Sequence, residues 1–237
     1  MKSLLYAKEH FINDSISILI PDVGSVFDNE DLYFDIISMI IATPYEMMAQ
    51  LNEVGIDFTQ INDYELFCLL FKKLQEMDTS LVFGDLLLSD FYIAEKEPNH
   101  NVVLYNPKTD VVIDRVVHDQ ICKFLRRMLR VPRVEKRPAN AEAKRYMLER
   151  AKAALERKRR RKSHKSQLEE YIVALVNSKE FPYDYKSVRD ISIYQFYSSL
   201  HQISHRIKFD NTMIGYYSGT IKFEDLSESD RSWISTI

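Results

Sequence analysis

Hydrophobic and polar positions alternate in two distinct periods along this chain, and the period changes mark its elements. Ile16-Ser17-Ile18-Leu19-Ile20-Pro21 reads as a short strand or extended lead-in stopped by proline, followed by a turn at Asp22-Val23-Gly24-Ser25. Leu32, Ile36, Met39 and Ile40 then recur at helical spacing, which predicts a helix from about Asn29 to Ala42. Thr43-Pro44-Tyr45-Glu46 has the composition of a capping box with proline at the first helical position, so a second helix is predicted from there to Gly55. Asn62 with Glu65 three residues later predicts a third, apolar on most faces and therefore central. Ser80–Phe83 and Phe91–Ala94 are read as strands. Asn101–Tyr105 and Val111–Ile113, around a Pro-containing loop, predict a hairpin.

The remainder is helical in pattern. Asp114 caps a helix reaching about Leu129, with Val117, Ile121, Phe124, Leu125 and Met128 on one face. Asn140 caps another, to about Lys162, with only a thin stripe of Ala143, Met147, Ala151, Ala154 and Leu155. Leu168, Tyr171, Ile172, Leu175 and Val176 define a further amphipathic helix. Ile193, Phe196, Tyr197, Leu200, Ile203 and Ile207 define the packed face of a longer one from Ser187 to about Lys208. Gly215-Tyr216-Tyr217-Ser218-Gly219 reads as a turn, and Ser227 as the cap of a short last helix holding Trp233. The fold class expected is mainly α with a small β-hairpin element (α+β). Pro132 and Pro138 set the expected boundaries: an N-terminal α+β domain at 1–131, a basic linker helix at 132–165 and a C-terminal helical unit at 166–237.

Charge adds a feature that the periodicity does not show. From Arg126 to Lys165 there are 17 Lys and Arg against 4 Asp and Glu, whereas the rest of the chain has 15 against 31. An acidic body thus carries a basic arm ending in Arg157, Lys158, Arg159, Arg160, Arg161 and Lys162. Its counter-charge must be solvent ions, a nucleic acid, an acidic partner or the body itself. The arm holds a single aromatic, Tyr146, which serves base stacking poorly, so weak or no nucleic-acid binding is expected. No apolar run approaches the length of a membrane span, and a soluble, cytoplasmic protein is expected.

Candidate chemistry is sparse. His201 and His205 share a helix face, as do His118 and Cys122, but neither pair has the further ligands of a zinc framework. Asp28, Glu30 and Asp31 sit where acids favour a helix start. Cys68 and Cys122 fit two buried thiols better than a disulfide. No catalytic motif, cofactor motif or metal set is recognised, and a binding protein is expected rather than an enzyme. Aromatics beyond the needs of a small core are the candidate partner-binding residues: Tyr194, Tyr197, Tyr216, Tyr217 and Trp233.

Ile20-Pro21-Asp22-Val23-Gly24, Gly55-Ile56-Asp57-Phe58 and Asp63-Tyr64-Glu65-Leu66-Phe67 together give the chain a family look. Arg189-Asp190, Ile193-Tyr194-Gln195-Phe196 and Gly215-Tyr216-Tyr217-Ser218-Gly219 extend it to the other end. In these the chain resembles proteins of the tail gene cluster of tailed phages and prophages of Gram-positive bacteria, tail assembly chaperones in particular. The resemblance implies a small, helical, cytoplasmic factor that binds a tape-measure protein until tail-tube subunits displace it. It leaves open a structural tail or neck component, and the basic arm leaves open a nucleic-acid-binding accessory protein.

Overall fold

The computed structural model describes residues 3–96, 101–160 and 166–235. It is mainly helical, with two small antiparallel sheets. Strands β1 (Glu9–Phe11) and β2 (Ser17–Leu19) form a ribbon, with the Asn13 side chain accepting from the amides of Ser15 and Ile16 in the turn. What reads as a turn at Asp22–Ser25 is the start of helix α1 (Val23–Asp28), because the Asp22 carboxylate caps it through the Ser25 amide at 2.7 Å. Helix α2 (Glu30–Ile41) follows.

The Thr43–Glu46 box forms as the residues predict, with Glu46 accepting from the Thr43 amide at 2.9 Å and Thr43 Oγ1 accepting from the Glu46 amide at 3.2 Å. It closes a turn rather than opening a long helix, and α3 spans only Met48–Glu53. Gly55 ends this stretch at φ +77°, a backbone region that glycine enters without steric cost. Helix α4 (Asp63–Gln75) has a complete capping box from Asn62 and Glu65. Asn62→Ala should therefore lower stability by about 1 kcal/mol in urea denaturation, with an unchanged m-value; no loss would mean that the box is idle.

Residues 80–83 are a correction to the strand reading. They form a helical turn, α5 (Ser80–Phe83). The Asp78 carboxylate accepts from the Ser80 amide at its start, and Gly84 at φ +60° stops it. These local devices override the β preference of four apolar-rich residues, and Val82 and Phe83 are still buried. A three-stranded sheet follows in the order β3 (Tyr92–Lys96), β4 (Asn101–Asn106), β5 (Val111–Ile113), with Leu104 opposite Ile113 and both fully buried.

Helix α6 (Arg115–Leu129) is capped by Asp114 as expected. Then come α7 (Ala141–Arg160), α8 (Gln167–Val176) and α9 (Ile193–Tyr217). α9 begins at a Ser192–Gln195 capping box rather than at Ser187, because a separate 3-10 turn occupies Ser187–Asp190. It runs on through Tyr217, so Gly215–Tyr217 are helical and the chain turns only at Gly219, φ +76°. Two 3-10 turns, Phe223–Asp225 and Glu228–Arg231, complete the tail; Trp233 lies just beyond the second.

The main cluster of buried residues draws on both ends of the chain. Ile18, Val26, Ile36, Phe71, Leu104 and Leu125 share it with Leu168, Leu175, Val188, Ile193 and Phe196. Two of the sequence phrases quoted above meet there. The Ile193 amide donates to the Pro21 carbonyl at 2.8 Å and the Val23 amide to the Ile191 carbonyl at 2.9 Å. A Cβ on Gly24 would come within 3.2 Å of the Arg189 side chain, so glycine permits this approach. A smaller cluster of Ala42, Met48, Leu51, Phe58 and Leu66 is covered by Met147, Leu148 and Ala151 of α7, a helix with no buried residue of its own.

Candidate interaction surface

α9 has 25 residues, roughly 37 Å at 1.5 Å per residue, and its apolar spacing outlasts the body it packs on. Ile193, Tyr194 and Phe196 are buried, and Tyr197, Leu200 and Ile203 lie against the core edge. Further along, Ile207, Ile214 and Tyr217 are 52, 67 and 80% exposed. The tail returns along other positions of the helix. His205 meets the Ser232 carbonyl at 2.8 Å, His201 the Ser235 hydroxyl at 2.7 Å, and Lys208 pairs with Asp230 at 2.6 Å. Gln202 both donates to the Trp233 carbonyl and accepts from the Ser235 amide. The histidine pair noticed in the sequence therefore fastens the tail.

The five candidate aromatics are not brought together. Tyr194 is buried beneath the Arg130 guanidinium, 5.8 Å from its ring centre. Tyr197 is half-buried with its edge toward Tyr171, and burial pushes its hydroxyl pKa upward. Tyr216 and Tyr217 lie at the far end of α9, where Tyr216 contacts Phe223. Trp233 is half-exposed under Arg206, 5.2 Å away. Ile207 was expected on the packed face and is instead in solvent. Ile214, Phe223 and Ile234 are further exposed apolar residues of this end; the only signal for Ile214 was the continued spacing of three and four.

Part of the basic arm finds its counter-charge on the body. Arg159 forks onto Glu53 at 2.8 and 2.9 Å, which holds that carboxyl below its ordinary pKa. Lys144 meets Asp57 at 2.5 Å and, with Thr59, lowers the Asp57 pKa to about 2. Arg160 lies 3.7 Å from Glu156, and Arg157 donates to the Ala153 carbonyl. Arg161 and Lys162 lie outside the described residues. Lys158 sits at the edge of a groove of about 820 Å³ between α2, the end of α6, α8 and α9. Phe34, Ile37, Leu129, Tyr171, Tyr197 and Leu200 make its walls largely apolar. A second cleft of about 880 Å³, at the starts of α4, α6 and α7, is instead crossed by ion pairs, among them Arg133–Asp63 at 2.9 Å and Arg137–Glu135 at 2.8 Å.

His118 and Cys122 have a structural task. With Arg126 they form one row of α6 over the end of α2, whose last carbonyls lack helical partners. His118 Nε2 and Cys122 Sγ both donate to the Ile40 carbonyl, at 3.0 and 3.3 Å, and Arg126 donates to the Ile41 carbonyl. Both cysteines are free thiols, and burial pushes that of Cys122 up to about 12. The acids of the first helix start are engaged elsewhere: Asp28 with Arg189 at 2.7 Å, and Glu30 with the Ser166 hydroxyl and Leu168 amide, where it helps cap α8. Among the described residues no three His, Cys, Asp or Glu side chains are grouped to hold a metal, and no helix is long and apolar enough to cross a membrane.

Residues 158–237 match the model of a family described as YomV second domain, a phage-derived family. The matched stretch includes α8, α9 and the returning tail, so the exposed end of α9 lies within the part of the chain similar to that family. Neither the curated proteins nor the solved structures gave a significant match.

Proposed function

We propose that this protein is a non-enzymatic assembly factor of a tailed phage, chaperone-like, which binds another tail protein such as the tape-measure protein in the host cytoplasm. The observation that carries the reading is the exposed apolar run of Ile207, Ile214 and Tyr217 on α9, inside the stretch similar to a phage-derived domain. Apolar residues held in solvent at helical spacing are suited to a helical client, because burying them supplies affinity that charge alone does not. Co-expression with the tape-measure protein of the same phage should give a complex that survives purification. Ile214→Asp combined with Tyr217→Ser, at sites that no core residue needs, should weaken it about tenfold or more. Absence of a complex with the unchanged chain would refute the reading.

A nucleic-acid role for the basic arm is the alternative, and the pairing of Arg159 with Glu53 and of Lys144 with Asp57 weighs against it. Phosphate binding by the arm would lose affinity steeply with salt, with a log–log slope of about 0.9 per phosphate neutralised on duplex DNA. Our reading expects only weak DNA or RNA binding at physiological salt. Tight binding there would favour the alternative.

A further inference from the structure

The face of α9 that lines the apolar groove does not end where the groove ends. Tyr197, Leu200 and Ser204 border the groove. Steps of three and four residues from Ser204 lead to Ile207, Asn211 and Ile214, which continue the same face because such positions stack along a helix. The tail is held by Gln202 and His205 on the far side and by His201 and Lys208 beside this face, and it still leaves Ile207 and Ile214 exposed. Groove and row together form one track, in which Leu200, Ile207 and Ile214 are separated by Ser204 and Asn211. From Leu200 to Ile214 it is roughly 21 Å long, about four turns of a helix.

The groove's charge restricts what fits. Arg130, Lys158 and His201 are among its lining residues, and Glu46 is the one acid among them. Glu46 is already engaged by the Thr43 amide and hydroxyl and lies 3.8 Å from Arg126. Arg130 donates to the neutral Ser198 hydroxyl, and its buried Nε has no acceptor among the described residues. The edge is therefore short of negative charge. A second copy of this chain paired face to face about a two-fold axis would bring the same cations to the same place, and like charges in contact oppose that association.

We infer that the groove and the Leu200–Ile214 row are one seat for an amphipathic helix of a partner protein, apolar along one stripe and acidic beside it. This rests on the partner-binding reading above and specifies its site. The seat orients that helix along α9, with its acidic residues beside Arg130 and Lys158.

The test uses the full chain and two labelled helical peptides of about six turns, read by fluorescence anisotropy. Both carry Leu and Ile at heptad spacing; one has Glu beside the stripe and the other Lys. The acidic peptide should bind and the basic one should bind about tenfold or more weakly. Ile207→Asp and Ile214→Asp, both at exposed positions, should each weaken the acidic peptide about tenfold. Lys158→Glu should narrow or reverse the preference between the two peptides while leaving the urea midpoint unchanged. Equal binding of both peptides, binding of neither, or indifference to all three substitutions would overturn the seat. So would sedimentation showing a dimer that Ile214→Asp dissociates, or binding to anionic vesicles that the same substitution abolishes. The two readings fail separately. If the variants still capture the tape-measure protein, the seat is wrong and the function stands; if the acidic peptide binds as stated but no tail protein is captured, the seat stands and the function falls.

Discussion

A chain ending at residue 165 should show no cooperative unfolding transition. The sequence is punctuated as though the first 131 residues were a domain, yet that cut would strip Leu168, Leu175, Val188, Ile193 and Phe196 from the main buried cluster. It would also remove both backbone hydrogen bonds between the Pro21–Val23 segment and Ile191–Ile193. Glu30 would lose the α8 start that it helps to cap. Losses of this kind accumulate quickly against a native stability of about 5–15 kcal/mol. In the full chain Phe196→Ala alone should cost about 3–5 kcal/mol, since the ring is fully buried and its removal leaves a cavity. Urea denaturation followed by near-UV circular dichroism reads both. A truncated chain that unfolds sharply, within about 1 kcal/mol of the full one, would show instead that the first 165 residues are self-sufficient.

The same contacts explain what could be read from the sequence. Caps were legible because their chemistry is local: Asn62 with Glu65, Asp114 and Ser227 all accept from amides two or three residues on. Residues 80–83 were misread because four apolar-rich residues carry no period, and the deciding groups, Asp78 and Gly84, lie outside them. The join of Pro21 to Ile193 was illegible for another reason. It spans most of the chain, and neither residue carries a mark of its partner. Ile207 and Ile214 show the limit on reading the surface. Helical spacing tells which residues share a face, but not whether this chain supplies the atoms that cover it. Arg130 gave no local signal at all, because its place at the groove follows from how the end of α6 meets α9.

The row of donors over the end of α2 carries the second large effect, and it makes stability depend on pH. His118 is buried, with Phe67 stacked on its ring at 4.3 Å. Because a carbonyl only accepts, its Nε2 carries a proton toward Ile40, and Nδ1 is the site left to protonate. Burial lowers the pKa of His118 below its ordinary 6.5, outweighing the opposing pull of the Ile40 hydrogen bond, Asp63 and Asp119. The unfolded chain therefore binds more protons between the folded and unfolded pKa values, so stability rises with pH through that window. The contribution is fully present above about pH 6.5 and is lost as pH falls through the folded value. His10 and His201, also lowered, add to the same slope from less buried positions. His118→Gln, which retains an amide donor, should flatten the dependence of the urea midpoint between about pH 5 and 7. Arg126→Met should act differently, lowering stability by about 2–4 kcal/mol at pH 7 because the Ile41 and Pro132 carbonyls lose charged donors. Its pH slope should stay close to that of the unchanged chain. If His118→Gln leaves the slope intact, the titrating group is another histidine; if Arg126→Met is neutral, water satisfies the end of α2 and the row is not what holds α6 onto it.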